Sequence, residues 1–153
     1  MIQSADARFR SKHGDFAISA FDVGEGKTHV ALWIGELSGE GPLLTRIQSK
    51  CTTGTAFAAL ICDCGEQVQM ALSTIGGSGR GLFVYLDAVE ILHRLEASPA
   101  ITLMTNNPRK VDALEQNGFV VTREPLEAQP TEYTAAYLST KKHELGHQIS
   151  VVE

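Results

Sequence analysis

Residues 43–86 read LLTRIQSKCTTGTAFAALICDCGEQVQMALSTIGGSGRGLFVYL, and the fold turns on how this stretch changes its period. LLTRIQSK (43–50) has the composition of a strand. From Gly65 to Ile75 the apolar residues Val68, Ala71, Leu72 and Ile75 recur at helical spacing, which predicts a short amphipathic helix. GGSGRG (76–81) ends that helix, and LFVYL (82–86) returns to a strand. A glycine-rich run invites comparison with a phosphate-cradling loop. Such a loop follows a strand and opens a helix, because it uses the helix N-terminus. This one closes a helix and opens a strand, so its glycines supply a tight reversal instead.

The same stretch holds all three cysteines of the chain, Cys51, Cys62 and Cys64. If the Cys62-Asp63-Cys64 segment is extended, its two thiols point the same way, since strand side chains alternate. Cys51, returned by a loop, then supplies a third. Three thiolates with one open position hold a zinc that can still bind water or substrate. The plainer alternative is three small buried hydrophobes. An odd number argues against a disulfide framework.

Upstream, FAISAF (16–21) and THVALWIG (28–35) flank a Gly24–Gly26 turn and read as a hairpin. With 43–50 as a third strand, the first third of the chain reads as an antiparallel β unit. The polar residues 1–13 read as loosely ordered, as do 148–153. Downstream, DAVEILHRLEA (87–97) is a helix, with His93 on it as a solvated or dipole-complementing histidine. ITLMT (101–105) is a buried strand. Asn107 and Pro108 are placed to cap and start the helix of residues 109–117, with Gly118 after it. FVVTR (119–123) is a strand. Residues 131–145 form a last helix with Thr131 as its cap. The order predicts one α/β (α+β) domain spanning 1–153, a mixed β-sheet with flanking helices. The start of the 109–117 helix follows a strand's carboxyl end, where open α/β sheets bind ligands and free N–H groups attract anions. Thr105, Arg109 and Lys110 lie there.

Composition sets bounds on function. At 153 residues the chain can bury a sizeable core. A net charge of −5 offers no basic footprint for nucleic acid. No apolar run approaches the roughly 20 residues of a membrane span, and MIQSADARFR lacks the apolar region of a secretory signal. The expectation is a cytoplasmic protein with reduced thiols.

Together these stretches resemble GTP cyclohydrolase II. Cys51, Thr53, Gly54, Cys62, Asp63, Cys64, Gly65 and Gln67 match its zinc motif. LMTNNPRKVDALEQNGFVVTREPLE (103–127) and YLSTKKHELGH (137–147) match two further motifs, in the same order. The resemblance implies one zinc per chain on Cys51, Cys62 and Cys64, nucleotide contacts at Arg46, Gln67, Thr105 and Lys110, and a homodimer. It implies a zinc-bound water that opens the imidazole ring of guanine and releases formate, with a separate step that releases pyrophosphate. Zinc lowers the pKa of its water from about 15.7 toward about 7. Mg2+ enters only if the substrate is a triphosphate.

The departures from the family pattern are specific. After the YL strand the family continues with a Gln-Glu-Gly-Arg motif, a helix bearing a tyrosine, and an Asp-x-Arg pair. Here Leu86 runs directly into Asp87 and the helix before ITLMT, so several dozen residues and that Asp-x-Arg are missing. Gln48-Ser49-Lys50-Cys51 stands where the family has His-Ser-Glu-Cys, Thr55 replaces an Asp, Ile61 an Arg, and Thr131 and Thr134 two asparagines. Another acid or base is then required, and Tyr85, Asp87 and Asp63 are the candidates. Three readings follow. The first is a zinc-dependent hydrolase of a nucleotide, nucleobase or pterin-like heterocycle, without the pyrophosphate step. The second is ordinary GTP cyclohydrolase II activity. The third is a non-catalytic zinc- and nucleotide-binding homologue.

Overall fold

The computed structural model describes residues 2–85 and 88–152, with side chains from Asp6 onward. One seven-stranded mixed sheet runs through it. Strands β1 (Ile2–Ser11), β2 (Gly14–Asp22) and β3 (Thr28–Ile34) form an antiparallel meander. Strands β4 (Leu43–Gln48), β5 (Gly81–Tyr85), β6 (Ala100–Met104) and β7 (Val120–Glu124) complete the order β1-β2-β3-β5-β4-β6-β7. β5 is antiparallel to β3 and parallel to β4, and β4, β6 and β7 are mutually parallel. The α/β class and the mixed sheet are as the sequence predicts.

Two expectations about the first third are corrected. Residues 2–11 are a full strand paired along the length of β2, where a loose end was expected. β4 does not extend the antiparallel meander; β5 inserts between it and β3. The reason is burial on both faces. Leu43, Thr45, Arg46, Ile47 and Gln48 are all buried, the condition of a central parallel strand. Its polar residues mask this in the sequence. The other end of the chain is held too: Ile149 is buried, Gln148 N–H donates to the Asn106 carbonyl at 2.7 Å, and Glu127 accepts from Ser150 and Val151.

Five helices connect the strands: α1 (Thr52–Ala56), α2 (Cys64–Ser78), α3 (Val89–Arg94), α4 (Pro108–Glu115) and α5 (Ala135–His143). Alternation along the strands divides the core in two. In β5, Leu82 and Val84 pack toward Ile91 and Leu92 of α3 and Leu114 of α4. Phe83 and Tyr85 pack toward Ala71, Leu72 and Ile75 of α2. The loop after β4 therefore leads to a helix on one face, and the loop after β6 to a helix on the other. Such divergence opens a crevice at the carboxyl ends of the strands.

The α4 boundary is as read. Asn107 Oδ1 accepts the Arg109 N–H at 3.0 Å and Pro108 occupies the first turn. The shorter α3 starts at Val89, and Asp87 lies outside the described residues. His93 stacks on Phe119 with ring centroids 4.9 Å apart. α5 begins later than predicted, and Thr134 holds the cap position. Thr131 and Thr134 exchange hydrogen bonds, each hydroxyl accepting the other's N–H.

α2 runs through Gly76 and Gly77 and ends only at Gly79, which takes the left-handed conformation at φ 69°. A Cβ on Gly76 would lie 1.9 Å from the His13 carbonyl oxygen, whereas one on Gly77 would meet nothing within 4 Å. The first glycine thus lets the β1–β2 turn rest on the helix. Adjacent substitutions should have opposite signs. Gly76→Ala is expected to destabilise by about 1–3 kcal/mol through overpacking. Gly77→Ala is expected to stabilise by up to about 1 kcal/mol through helix propensity. Urea unfolding of both variants checks this, and equal effects would contradict the packing.

Candidate metal centre and cationic cavity

The three thiols converge at the end of β4. Their Sγ atoms all lie within 4.8 Å of one another, and the Cys51 and Cys62 sulfurs are 3.8 Å apart. That is far beyond a disulfide bond. It matches the edge of a tetrahedron with zinc–sulfur bonds of about 2.3 Å, which is about 3.8 Å. The local geometry differs from the extended Cys-x-Cys expected. Asp63 is the N-cap of α2, its carbonyl accepting the Gln67 N–H at 2.9 Å, and Cys64 is the first helical residue. Cys62 sits on the turn before it, so a turn into a helix aims the pair inward.

Gly54 forms the floor of this triad. A Cβ there would fall 2.6 Å from the Cys62 sulfur, 3.3 Å from the Cys51 sulfur and 3.0 Å from Cys64 Cβ. On Gly65 a Cβ would meet the Gly54 carbonyl at 2.5 Å. The two glycines let α1 settle against the start of α2 and leave a cradle between the sulfurs. The Gly54 N–H, and then the Thr53 hydroxyl, hold the Cys51 thiol below its ordinary value. Burial pushes the Cys64 thiol up to about 12, so a cation is needed to displace its proton. Among the described residues this is the one cluster of three or more metal-ligand side chains, and its donor set fits zinc.

Cys51 and Cys64 line a cavity of about 300 Å³ in the crevice between β4 and β6. Its walls carry Arg46, Lys50, Lys110 and Lys141, and no carboxylate among the described lining residues. The structure brings together every residue that the resemblance assigned to nucleotide contact: Arg46, Gln67, Thr105 and Lys110 all line this cavity. Their partners are specific. Arg46 donates to Gln48 Oε1, to the Met104 carbonyl and to Gln67 Oε1. Gln67 in turn donates to Asp63 at 2.5 Å, so its amide is fixed in orientation with one N–H unspent. Thr105 accepts the Asn107 N–H at 3.1 Å and keeps its own hydroxyl proton to donate. Lys110 Nζ reaches the Ile47 carbonyl at 2.7 Å.

Burial lowers Arg46 to about 10, so it stays charged. Burial, with the charges of Arg46 and Lys141, lowers Lys110 to about 8. Crowded, desolvated cations of this kind are what an anionic ligand relieves.

The acid and base candidates fare differently. Tyr85 is not among the cavity-lining residues, and its hydroxyl lies 3.3 Å from Thr55 Oγ1. Asp63 is buried under the site and committed to Gln67 and to Lys141 at 3.1 Å. Asp87 lies outside the described residues. Sequence reasoning missed three cavity residues near the C-terminus: Tyr137, Lys141 and His147. They occur in YLSTKKHELGH, a motif quoted above for resemblance alone. Gly146 at φ 70° turns the chain back so that the His147 N–H meets the Lys141 carbonyl at 3.0 Å. Burial and Lys141 hold His147 below its usual value.

The GTP cyclohydrolase II family model matches residues 2–97. GTP cyclohydrolase-2 of Shewanella amazonensis is 36% identical, with 95% of this chain and 92% of that protein covered. GTP cyclohydrolase-2 of Shewanella oneidensis is also 36% identical, with 95% and 93% covered. Both alignments extend over 189 positions against a chain of 153 residues, so about 40 positions of the relatives have no counterpart here. Among solved structures, a two-domain 3,4-dihydroxy-2-butanone 4-phosphate synthase from A. baumannii aligns with 99% of this chain and 40% of its own, at a TM-score of 0.40 and 15% identity. With the family model covering more than half of the chain and relatives aligned along nearly all of it, the chain belongs to the GTP cyclohydrolase II family.

Proposed function

We propose that this chain is a zinc-dependent hydrolase that cleaves, with two waters, both carbon–nitrogen bonds of one ring carbon in a purine-like heterocycle bearing an anionic group, releasing that carbon as formate without releasing pyrophosphate. The observation that carries this reading is that the thiol triad opens onto a cavity whose charged lining is cationic. Zinc held by Cys51, Cys62 and Cys64 would supply Lewis acidity and an activated water. The chain's own residues do the rest. Arg46 and Lys110 hold the anionic group, and burial strengthens their pull by excluding water. Gln67 presents its remaining amide N–H to the ring, oriented by Arg46 and Asp63. Thr105 donates its hydroxyl. His147, neutral at pH 7, is a cavity group able to accept a proton. The absence of the Asp-x-Arg segment after Leu86 is what supports loss of the pyrophosphate step.

A second reading, complete GTP cyclohydrolase activity, is favoured by alignment with 92% of a GTP cyclohydrolase-2. One assay separates the two. Zinc-loaded protein is incubated with GTP, GDP and GMP, and formate and pyrophosphate are quantified separately. Formate without pyrophosphate is the expected result. Both products from GTP would establish the second reading. No formate from any of the three would overturn the proposal.

Anion binding should also follow the Lys110 proton. Its value of about 8 lies below the ordinary 10.5, so the free chain loses this charge as pH rises through about 8, and a bound anion restores it. GMP affinity is therefore expected to fall across that interval. Lys110→Ala should weaken GMP binding by about 10–100-fold at pH 7, the loss of a charge-assisted hydrogen bond, and should flatten the pH dependence. Calorimetric titration at pH 7 and pH 9 measures both. An unchanged affinity in the variant would remove Lys110 from the anion site.

A further inference from the structure

We infer that α5 carries the outer support of the thiol centre: the Tyr137 hydroxyl donates to the Cys64 sulfur, and Lys141 locks Tyr137 there by pairing with Asp63. This rests on the zinc reading above. It concerns residues beyond position 97, where the match to the family model ends.

Three contacts define the arrangement. Tyr137 Oη lies 3.7 Å from Cys64 Sγ. Lys141 Nζ sits 4.3 Å from the centre of the Tyr137 ring. The same ammonium is 3.1 Å from Asp63 Oδ1, with side chains only 14% and 2% exposed. Asp63 is the residue between two of the thiols and the cap of the helix that Cys64 opens. Its second oxygen accepts from Gln67, and Gln67 accepts from Arg46. One chain of hydrogen bonds thus ties α5 to the thiol loop, to α2 and to β4, 78 residues apart in sequence at the Lys141–Asp63 link.

The physical consequence is positional. A thiolate that accepts an O–H has its lone pairs aimed and part of its charge balanced. Such outer partners of metal ligands typically govern affinity by 10–100-fold. Tyr137 and Lys141 also line the cavity, but the role inferred here is a positioning one, exerted through the Cys64 thiolate. A hydroxyl that merely fills space would contribute nothing that phenylalanine could not.

The test compares wild type, Tyr137→Phe, Lys141→Met and Lys141→Arg. Tyr133→Phe, on the exposed turn before the helix, is the control. Zinc affinity is read by competition with a chromophoric chelator. The cobalt-substituted proteins are read by the sulfur-to-metal charge-transfer band. Tyr137→Phe retains ring and cation contact, and is expected to weaken zinc by about 10–100-fold and to shift the cobalt band. Lys141→Met should do both, Lys141→Arg should restore both, and Tyr133→Phe should change neither. Wild-type affinity and an unshifted band in Tyr137→Phe would overturn the inference while leaving zinc binding intact. If the wild-type protein takes up neither metal, the zinc reading fails and this inference with it. Should Lys141→Met fail to fold, Tyr137→Phe decides alone.

Discussion

Cys62→Ser is expected to strip the protein of zinc and of formate release together. Serine keeps the size of the side chain but does not ionise at neutral pH. Its hydroxyl therefore replaces a thiolate donor with a neutral, poorer one. Outer partners of a metal ligand govern affinity by about 10–100-fold, so removal of a ligand should exceed about 100-fold. Zinc per chain after dialysis should fall from about one to near zero, and formate release should drop to that of chelator-treated wild type. The fold should survive, since Cys62 is only half-buried and outside the two core clusters. Elemental analysis with far-ultraviolet circular dichroism reads both. A variant that keeps its zinc would remove Cys62 from the ligand set.

Gly54→Ala should have nearly as large an effect while leaving every donor in place. The added methyl would sit 2.6 Å from the Cys62 sulfur and 3.3 Å from the Cys51 sulfur. No real Cβ tolerates the first distance, so the thiols must spread apart. A spread triad cannot close on zinc–sulfur bonds of about 2.3 Å. Zinc affinity is expected to fall by about 100-fold. The metal-free protein should change less, because better helix propensity in α1, up to about 1 kcal/mol, offsets overpacking of about 1–3 kcal/mol. Competition with a chelator and urea unfolding of the metal-free form separate the two effects. Wild-type zinc affinity in this variant would show that Gly54 is not the floor of a metal cradle.

What could be read from the sequence was local. The apolar face of α2, the Asn107–Pro108 start of α4 and the gathering of three thiols in one loop all depend on residues close together in the chain. The structure reproduces them. What could not be read depends on partners far away. β4 looks like a third strand of a meander, because LLTRIQ shows no sign that β5 will pair between it and β3. Gly76 and Gly77 look like a helix stop until the His13 carbonyl occupies the space above one of them.

Asp63 illustrates the same limit at the site. Its candidacy as an acid or base is weakened already in the sequence, since alternation with its cysteine neighbours can turn it away from the thiols. In the structure it is buried against Lys141, a residue 78 positions later. Tyr137 and His147 escaped notice for the same reason, since nothing near them in sequence marks a cavity. The four residues that the resemblance assigns to nucleotide contact could be named only through it, and one cavity brings all four together. Spacing alone would have led only to the three cysteines and to the cations at the start of α4.

An open three-thiolate zinc centre beside a cationic cavity has a direct signature in X-ray absorption at the zinc edge of the purified protein. Three sulfur scatterers at about 2.3 Å and one lighter oxygen or nitrogen scatterer at about 2.0 Å are expected, with the lighter shell altered by added GMP and the sulfur shell unchanged. Four sulfur or nitrogen protein ligands, or a shell of oxygen and nitrogen without sulfur, would contradict it.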